Sequence, residues 1–141
     1  VKTSSLQSVQ VEDNDLVSLS IDEFPAIFIL AANADGTSIF RGLKELRVKE
    51  SDRISSMSKG LQKLGINTVE FEDGIQIEGG KPDGGDIECF GDHRVAMSFA
   101  VAGASAKNAI RVKNVESIDT SFPSFLNCVK KIGICINANK E

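Results

Sequence analysis

This chain repeats itself. Set against its own sequence with a shift of about 70 residues, Asp22-Glu23-Phe24-Pro25 falls over Asp92-His93-Arg94-Val95. Each copy then enters a small, apolar segment with helical character, 26–34 in the first and 96–106 in the second. Residues with strand propensity follow, 38–48 against 109–118, and then a second polar turn, Glu50-Ser51-Asp52 over Thr120-Ser121-Phe122. A second helix closes alike in both, Lys63-Leu64-Gly65-Ile66 over Lys131-Ile132-Gly133-Ile134. The pattern predicts an α/β chain of two tandem β-α-β-α-β-β units, over roughly 10–80 and 81–136. One such unit has too many one-sided elements to bury alone, whereas two share a core.

Individual elements follow from spacing. Ile54, Met57, Leu61 and Leu64 recur with the helical period and predict a helix over 52–64, with Gly65 as its C-terminal stop. In the second copy, Pro123 suits a first helical position, and Phe125, Leu126, Val129 and Ile132 form the expected buried face. Residues 68–71 and 74–78 alternate around Asp73-Gly74, the signature of a hairpin. The glycine-rich stretch 79–85 reads as a loop. It lacks a Gly-Lys-Ser/Thr ending and opens no helix, so it is no phosphate cradle.

Composition narrows the function. The apolar fraction is 41% and the charged fraction 26%, the balance of a soluble globular chain with a real core. A net charge of −4 argues against nucleic acid as a partner, so any anionic ligand must be caught by locally focused cations. The longest apolar run, 24–32, falls short of the ~20 residues that span a bilayer, so no membrane partner is expected. Cys89, Cys128 and Cys135 are odd in number and without paired spacing, which points to neither a disulfide framework nor a zinc site. Cys128 and Cys135, in apolar surroundings, are expected to be buried thiols. His93 is the only histidine, and no nucleophile-elbow pattern accompanies it. The first residue is Val1 and no signal pattern follows, so the chain is expected to derive from something longer.

Two charged segments stand immediately before helical patterns: Arg47-Val48-Lys49-Glu50-Ser51-Asp52-Arg53 and Gly91-Asp92-His93-Arg94-Val95-Ala96-Met97. A helix N-terminus offers free N–H groups and partial positive charge, and arginine adds bidentate recognition of carboxylate or phosphate. The pair of segments therefore predicts a site for a small, multiply charged anion. Asp22 is either an N-cap or a functional carboxylate. Glu50 lies among Lys49, Arg47 and Arg53, which favour its ionised form, so a proton-donor role requires burial or a ligand that draws the cations away. In an extended segment Lys49 and Glu50 should point to opposite sides, unless the strand has already ended before them. Arg53 and Arg94 occupy first helical turns, where positive charge opposes the dipole, and residues set against local preference are functional candidates. Asp92 is expected to cap its helix, leaving His93 and Arg94 to face a ligand.

Taken in order and spacing, Ile21-Asp22-Glu23-Phe24-Pro25, the segment 46–53, Asp92-His93-Arg94-Val95-Ala96-Met97 and Thr120-Ser121-Phe122-Pro123 resemble the C-terminal part of the 5-enolpyruvylshikimate-3-phosphate synthase family. The resemblance implies a portion of one domain of an inside-out α/β barrel, built from three β-α-β-α-β-β units per domain. It implies transfer of the enolpyruvyl group of phosphoenolpyruvate to the 5-hydroxyl of shikimate 3-phosphate with release of phosphate, in the cytoplasm, on the route to aromatic amino acids. No cofactor or metal is implied. Asp22 would take the hydroxyl proton, Glu50 would protonate the methylene carbon, and Lys49 would contact both substrates. Arg53 and Arg94 would clamp the phosphoenolpyruvate carboxylate, with His93 supporting them, and glyphosate would share that pocket. Some members carry lysine where this chain has Thr120, which loosens one anion contact and bears on glyphosate sensitivity. The complete family enzyme has six units, so this chain is expected to be inactive alone, to need the remaining domain as partner, and to self-associate through its open flank. The related transferase acting on UDP-N-acetylglucosamine, and a non-catalytic anion-binding module, are the competing readings.

Overall fold

A computed structural model describes residues 4–12 and 14–138. The start of the chain, on which the expectation of a longer parent rests, lies outside the described residues. The first half runs β1 (Gln10–Val11), α1 (Asn14–Ser20), a 3-10 turn (Ile21–Glu23), α2 (Phe24–Ala32), β2 (Thr37–Phe40), a second 3-10 turn (Lys44–Val48), α3 (Arg53–Lys63), β3 (Thr68–Phe71) and β4 (Gly74–Glu78). The second half runs β5 (Gly85–Glu88), α4 (His93–Ala102), β6 (Ile110–Lys113), α5 (Ser117–Ser121) and α6 (Phe125–Lys131). The class is mixed α/β. One sheet has the order β1-β2-β4-β3, with β1 and β2 parallel and the other neighbours antiparallel. The other is the parallel pair β5-β6. Both are open.

Local chemistry explains the best-formed elements. Asp52 caps α3 by accepting the Ser55 N–H at 3.0 Å, and Ile54, Met57 and Leu61 are wholly buried along one stripe. The helix stops in a Schellman arrangement: Gly65, at φ +78°, donates to the carbonyl of Gln62, and Ile66 donates to that of Leu61. The second copy ends α6 with the same bonds, Gly133 to Lys130 and Ile134 to Val129, with Gly133 at φ +91°. The two helix ends aligned in the sequence therefore share their hydrogen bonding. Asp73-Gly74 turns the β3–β4 hairpin in the expected register, Phe71 opposite Gly74 and Thr68 opposite Ile77. Pro25 sits in the first turn of α2, where its missing N–H costs nothing, so it opens the helix rather than breaking it.

One hydrophobic cluster joins the halves. Phe24, Phe28 and Phe40 form a ring-on-ring group with centroids 5.3–6.0 Å apart, and Phe99 of α4 reaches over to α3. Helices α2, α3 and α4 all contribute buried residues to this cluster, and Ile75, Ile77 and Ile87 close it from the strands.

Several expectations need correction. Strand structure in 38–48 stops at Phe40, and 44–48 winds as a 3-10 turn with Leu46 buried. In the second copy only Ile110–Lys113 is extended, and α6 begins at Phe125, two residues beyond Pro123. Among the described residues no strand pair follows α6, and the helix buries only Phe125 and Val129 fully. Ile132, expected on its buried face, is 74% exposed. Cys128, on α6, and Cys135, in the irregular segment after it, are exposed rather than buried as expected. Cys89 is the buried thiol, its Sγ donating toward the carbonyls of Lys113 and Asn114.

Gly60 exists for the α3–α4 contact. A Cβ there would lie 2.2 Å from Cζ of the wholly buried Phe99 ring. Gly60→Ala should therefore destabilise the fold by about 1–3 kcal/mol through overpacking, instead of gaining the ~1 kcal/mol that alanine brings to an exposed helix. Urea unfolding monitored by circular dichroism measures the sign.

Candidate functional site

The charged turns meet. Asp22 lies in the 3-10 turn that feeds α2, Lys49 and Glu50 in the bend between the second 3-10 turn and α3, and Asp92 and Arg94 at the start of α4. At their centre is Arg53, the first residue of α3, only 1% exposed. Its Nε donates to Oδ2 of Asp92 at 2.9 Å, Nη1 to Oδ1 of Asp22 at 2.9 Å and Nη2 to Oε2 of Glu50 at 2.5 Å. Arg94 approaches Asp22 from the other side: its Nη1 donates to the backbone carbonyl of Asp22 at 2.8 Å, and its Nη2 stands 3.9 Å from Oδ2. Lys49 Nζ is 3.6 Å from Oδ1 of Asp22 and 2.5 Å from Oε1 of Glu45. Five of the six expected site residues, Asp22, Lys49, Glu50, Arg53 and Arg94, thus share one cluster.

His93 does not join it. It occupies the first position of α4, half-buried, and among the described residues its side chain makes no hydrogen bond or ion pair. Asp22 is not a cap: Glu23 holds the cap position of α2 and makes no side-chain cap bond, so the Asp22 carboxylate is committed to cations. Lys49 and Glu50 do not diverge. The chain bends through 49–51, strand alternation does not apply, and both side chains reach the Asp22–Arg53 pair.

Asp92 is the member whose reach the sequence concealed. Its spacing marked it as a cap, and Oδ1 does accept the N–H groups of Arg94 and Val95 at 2.9 and 3.3 Å. Its other oxygen accepts from Arg53 Nε and from Ser51 Oγ at 3.1 Å, a bond across 39 residues that no local pattern announces. Asp92 is fully buried. Burial works to raise its pKa, but the hydrogen bond and charge of Arg53, with the two helical N–H groups, overcome it and hold the carboxyl below its usual range. Asp22 behaves likewise: desolvation pushes up, Arg94, Lys49 and Arg53 push down further, and the group titrates below an ordinary aspartate. Lys49 is raised, chiefly by its hydrogen bond to Glu45 and also by the Asp22 charge. All three shifts favour the charged forms of Asp22, Lys49 and Asp92.

Chemically, it offers a carboxylate ready to accept a proton at Asp22, and two cations, Lys49 and Arg94, partly open to solvent. Beside them a groove of about 290 Å³ runs between α2 and α4, with Asp22, Glu23 and Arg94 at one end and Ile29, Leu30 and Met97 along its wall. Among the described residues no group of three or more His, Cys, Asp or Glu side chains is disposed to hold a metal ion.

A family model, EPSP synthase (3-phosphoshikimate 1-carboxyvinyltransferase), matches residues 2–129. The chain belongs to the EPSP synthase family. A 3-phosphoshikimate 1-carboxyvinyltransferase of Legionella pneumophila (strain Paris) is 50% identical over 126 residues, 89% of this chain and 29% of that protein. The protein of the same name from Coxiella burnetii (strain CbuK_Q154) is 45% identical over 134 residues, 95% of this chain and 30% of that protein. In solved structures, the EPSP synthase of Acinetobacter baumannii superposes with a TM-score of 0.92 at 44% identity, over 96% of this chain and 32% of that one. The enolpyruvyl transferase NikO of Streptomyces tendae, at 19% identity and a TM-score of 0.71, shares the fold, over 96% of this chain and 30% of that one. This EPSP synthase family chain spans about a third of the length of the relatives it matches.

Removing Asp92 leaves Arg53 buried with its Nε unpartnered. Asp92→Ala should destabilise the fold by about 3–5 kcal/mol. The sign with pH follows from the lowered folded pKa: the Asp92 contribution is complete above the unfolded value, near pH 4, and is lost as pH falls through the lower folded value. Guanidinium unfolding between pH 2 and 7 should show a loss of stability below about pH 4 that is reduced in the variant.

Proposed function

We propose that this chain supplies one wall of the active site of a 3-phosphoshikimate 1-carboxyvinyltransferase, moving the enolpyruvyl group of phosphoenolpyruvate to the 5-hydroxyl of shikimate 3-phosphate with release of phosphate. The observation that carries this reading is the convergence of Asp22, Lys49, Glu50, Arg53 and Arg94 from three separate helix starts onto one cluster at the mouth of a groove. The motifs that bring them there belong to a family whose named relatives carry this activity.

In this reading Asp22 accepts the proton of the 5-hydroxyl; its lowered pKa keeps it ionised but makes it a weak base, and a substrate carboxylate that draws Arg53 and Arg94 away would strengthen it. With Glu50 protonated, the hydroxyl oxygen bonds to the central carbon of phosphoenolpyruvate while Glu50 delivers its proton to the methylene carbon and the double bond is consumed. Loss of a proton from the resulting methyl group back to Glu50 then re-forms the double bond as the C–O bond to phosphate breaks and phosphate leaves. Glu50 must first part from Nη2 of Arg53. A substrate carboxylate that docks on Arg53 and Arg94 would supply the exchange, because it replaces the same hydrogen bonds with the same kind of acceptor. Lys49 neutralises charge that builds on the substrates. His93 stands at the edge of this arrangement as a support.

The rest of the site is the partner. The groove between α2 and α4 leaves Leu30 and Val101 exposed, and the remaining part of the full-length enzyme is expected to cover them. The enzyme would work in the cytoplasm, and the chain by itself would self-associate through this face. Sedimentation measures that association directly.

Replacing the matching third of the Legionella pneumophila relative with this sequence gives a complete protein to assay. Phosphate release with both substrates should be restored, and Asp22→Asn in that background should lower kcat about 10²–10⁴-fold. The isolated chain should not turn over. Normal phosphate release from the isolated chain, or an undiminished kcat in the Asp22→Asn protein, overturns the assignment.

A further inference from the structure

Arg47 heads the charged segment before α3, yet it takes no part in the Asp22–Arg53 cluster. Its guanidinium turns the other way, into the β3–β4 hairpin. Nε donates to the carbonyl of Glu72 at 2.9 Å and Nη2 to the carbonyl of Phe71. Nη1 donates to Oδ2 of Asp52 at 2.8 Å and, at 3.4 Å, to Oε2 of Glu70. Asp52 uses its remaining oxygen to cap α3. One planar fork therefore ties together a 3-10 turn, a hairpin and a helix start.

Between Arg47 and Asp52 lie the two residues that the proposed chemistry needs most, Lys49 and Glu50. Their stretch of backbone has little of its own to hold it. Among the described residues, none of the backbone hydrogen bonds outside helices and strands involves residues 49–51. Val48 is 81% exposed and anchors nothing. The stretch is held by side chains: Arg47 with Asp52 and Ser51 Oγ with the buried Asp92 at its ends, and the tips of Lys49 and Glu50 on Glu45, Asp22 and Arg53 between them.

We propose that Arg47 is a positioning residue, which fixes the turn presenting Lys49 and Glu50 by bridging the hairpin carbonyls to Asp52. The catalytic consequence rests on the enolpyruvyl-transfer reading above, but the structural one does not. Arginine is specifically required, because four acceptors in different directions are met by one rigid fork, whereas lysine offers a single mobile point charge.

Two variants and two measurements test this. In the full chain, nitrogen-15 relaxation of Arg47→Met should lower the order parameters of the 49–51 amides from about 0.85 to below about 0.6, leaving the interior of α3 unchanged. Arg47→Lys should fall between, and it carries the test if the methionine variant does not fold. Unchanged order parameters in the folded variants overturn the proposal whatever the activity. In the Legionella pneumophila chimera, Arg47→Met should lower kcat about 10–100-fold, but by only about threefold where Glu50 is already Gln, because the two changes strike one device. Equal factors in both backgrounds overturn it, since a merely structural loss would multiply. A chimera that is inactive with Arg47 intact defeats the enolpyruvyl reading instead, and the relaxation measurement then decides the role of Arg47 alone.

Discussion

A buried arginine is tolerable only if its charge is answered, and Arg53 is answered by Asp92. Removing an ion of that size from water costs several kcal/mol after relaxation, and Arg53 adds a second penalty by standing at the positive end of α3. Asp92 offsets both from the positive end of α4, where a carboxylate is favoured by the same dipole that disfavours the arginine. The pair thus locks the starts of two helices from two different repeats against each other. Everything else at the site is hung on that lock: Ser51 bonds to Asp92, Glu50 and Asp22 bond to Arg53, and Arg94 follows Asp92 by two residues.

The three carboxylates around Arg53 are not equivalent. Asp92 is fully buried and accepts four donors, so it has nowhere to go. Asp22 and Glu50 are each about half exposed and meet the guanidinium through single bonds. An incoming carboxylate can compete for the places of these two but not for that of Asp92. Carboxylates outnumber cations in this neighbourhood, so the anion proposed for this site would have to enter by exchange rather than by filling an empty cationic hole. Exchange has a selective consequence: a ligand must match the geometry of the internal carboxylates, which favours planar, bidentate acceptors over spherical ones.

Much of this was legible in the chain before folding, and the boundary has a physical cause. The α3 stripe, the Asp73-Gly74 turn and the glycine stops at Gly65 and Gly133 depend on neighbours within six residues, and all were readable. The charged segments could be flagged because Arg53 and Arg94 oppose the local dipole. What could not be read depends on contacts made across the fold. Asp22 looked like a cap because only tertiary structure brings Arg53 within 2.9 Å of it. Whether Lys49 and Glu50 diverge turned on where the strand ends, and a bend carries them. Ile132, Cys128 and Cys135 looked buried because apolar periodicity records which face a helix could hide, not whether anything covers it.

Why the turns gather at one end is a matter of connection rather than of residue type. Strands β1 and β2 are parallel and joined through α2, and β5 and β6 are parallel and joined through α4. Each crossover helix must begin beyond the carboxyl end of the strand before it, and in open α/β sheets that edge is where ligands bind. Helix α3 likewise begins after the carboxyl end of β2, by way of a 3-10 turn. Parallel connection thus directs the starts of α2, α3 and α4 to one edge, and close packing of the helices brings Arg94 to the Asp22 carbonyl at 2.8 Å. The repeat therefore does more than build a core economically. Doubling one unit places two helix starts side by side, and different residues in those turns let one copy supply the Asp22 carboxylate and the other the Arg94 guanidinium that faces it.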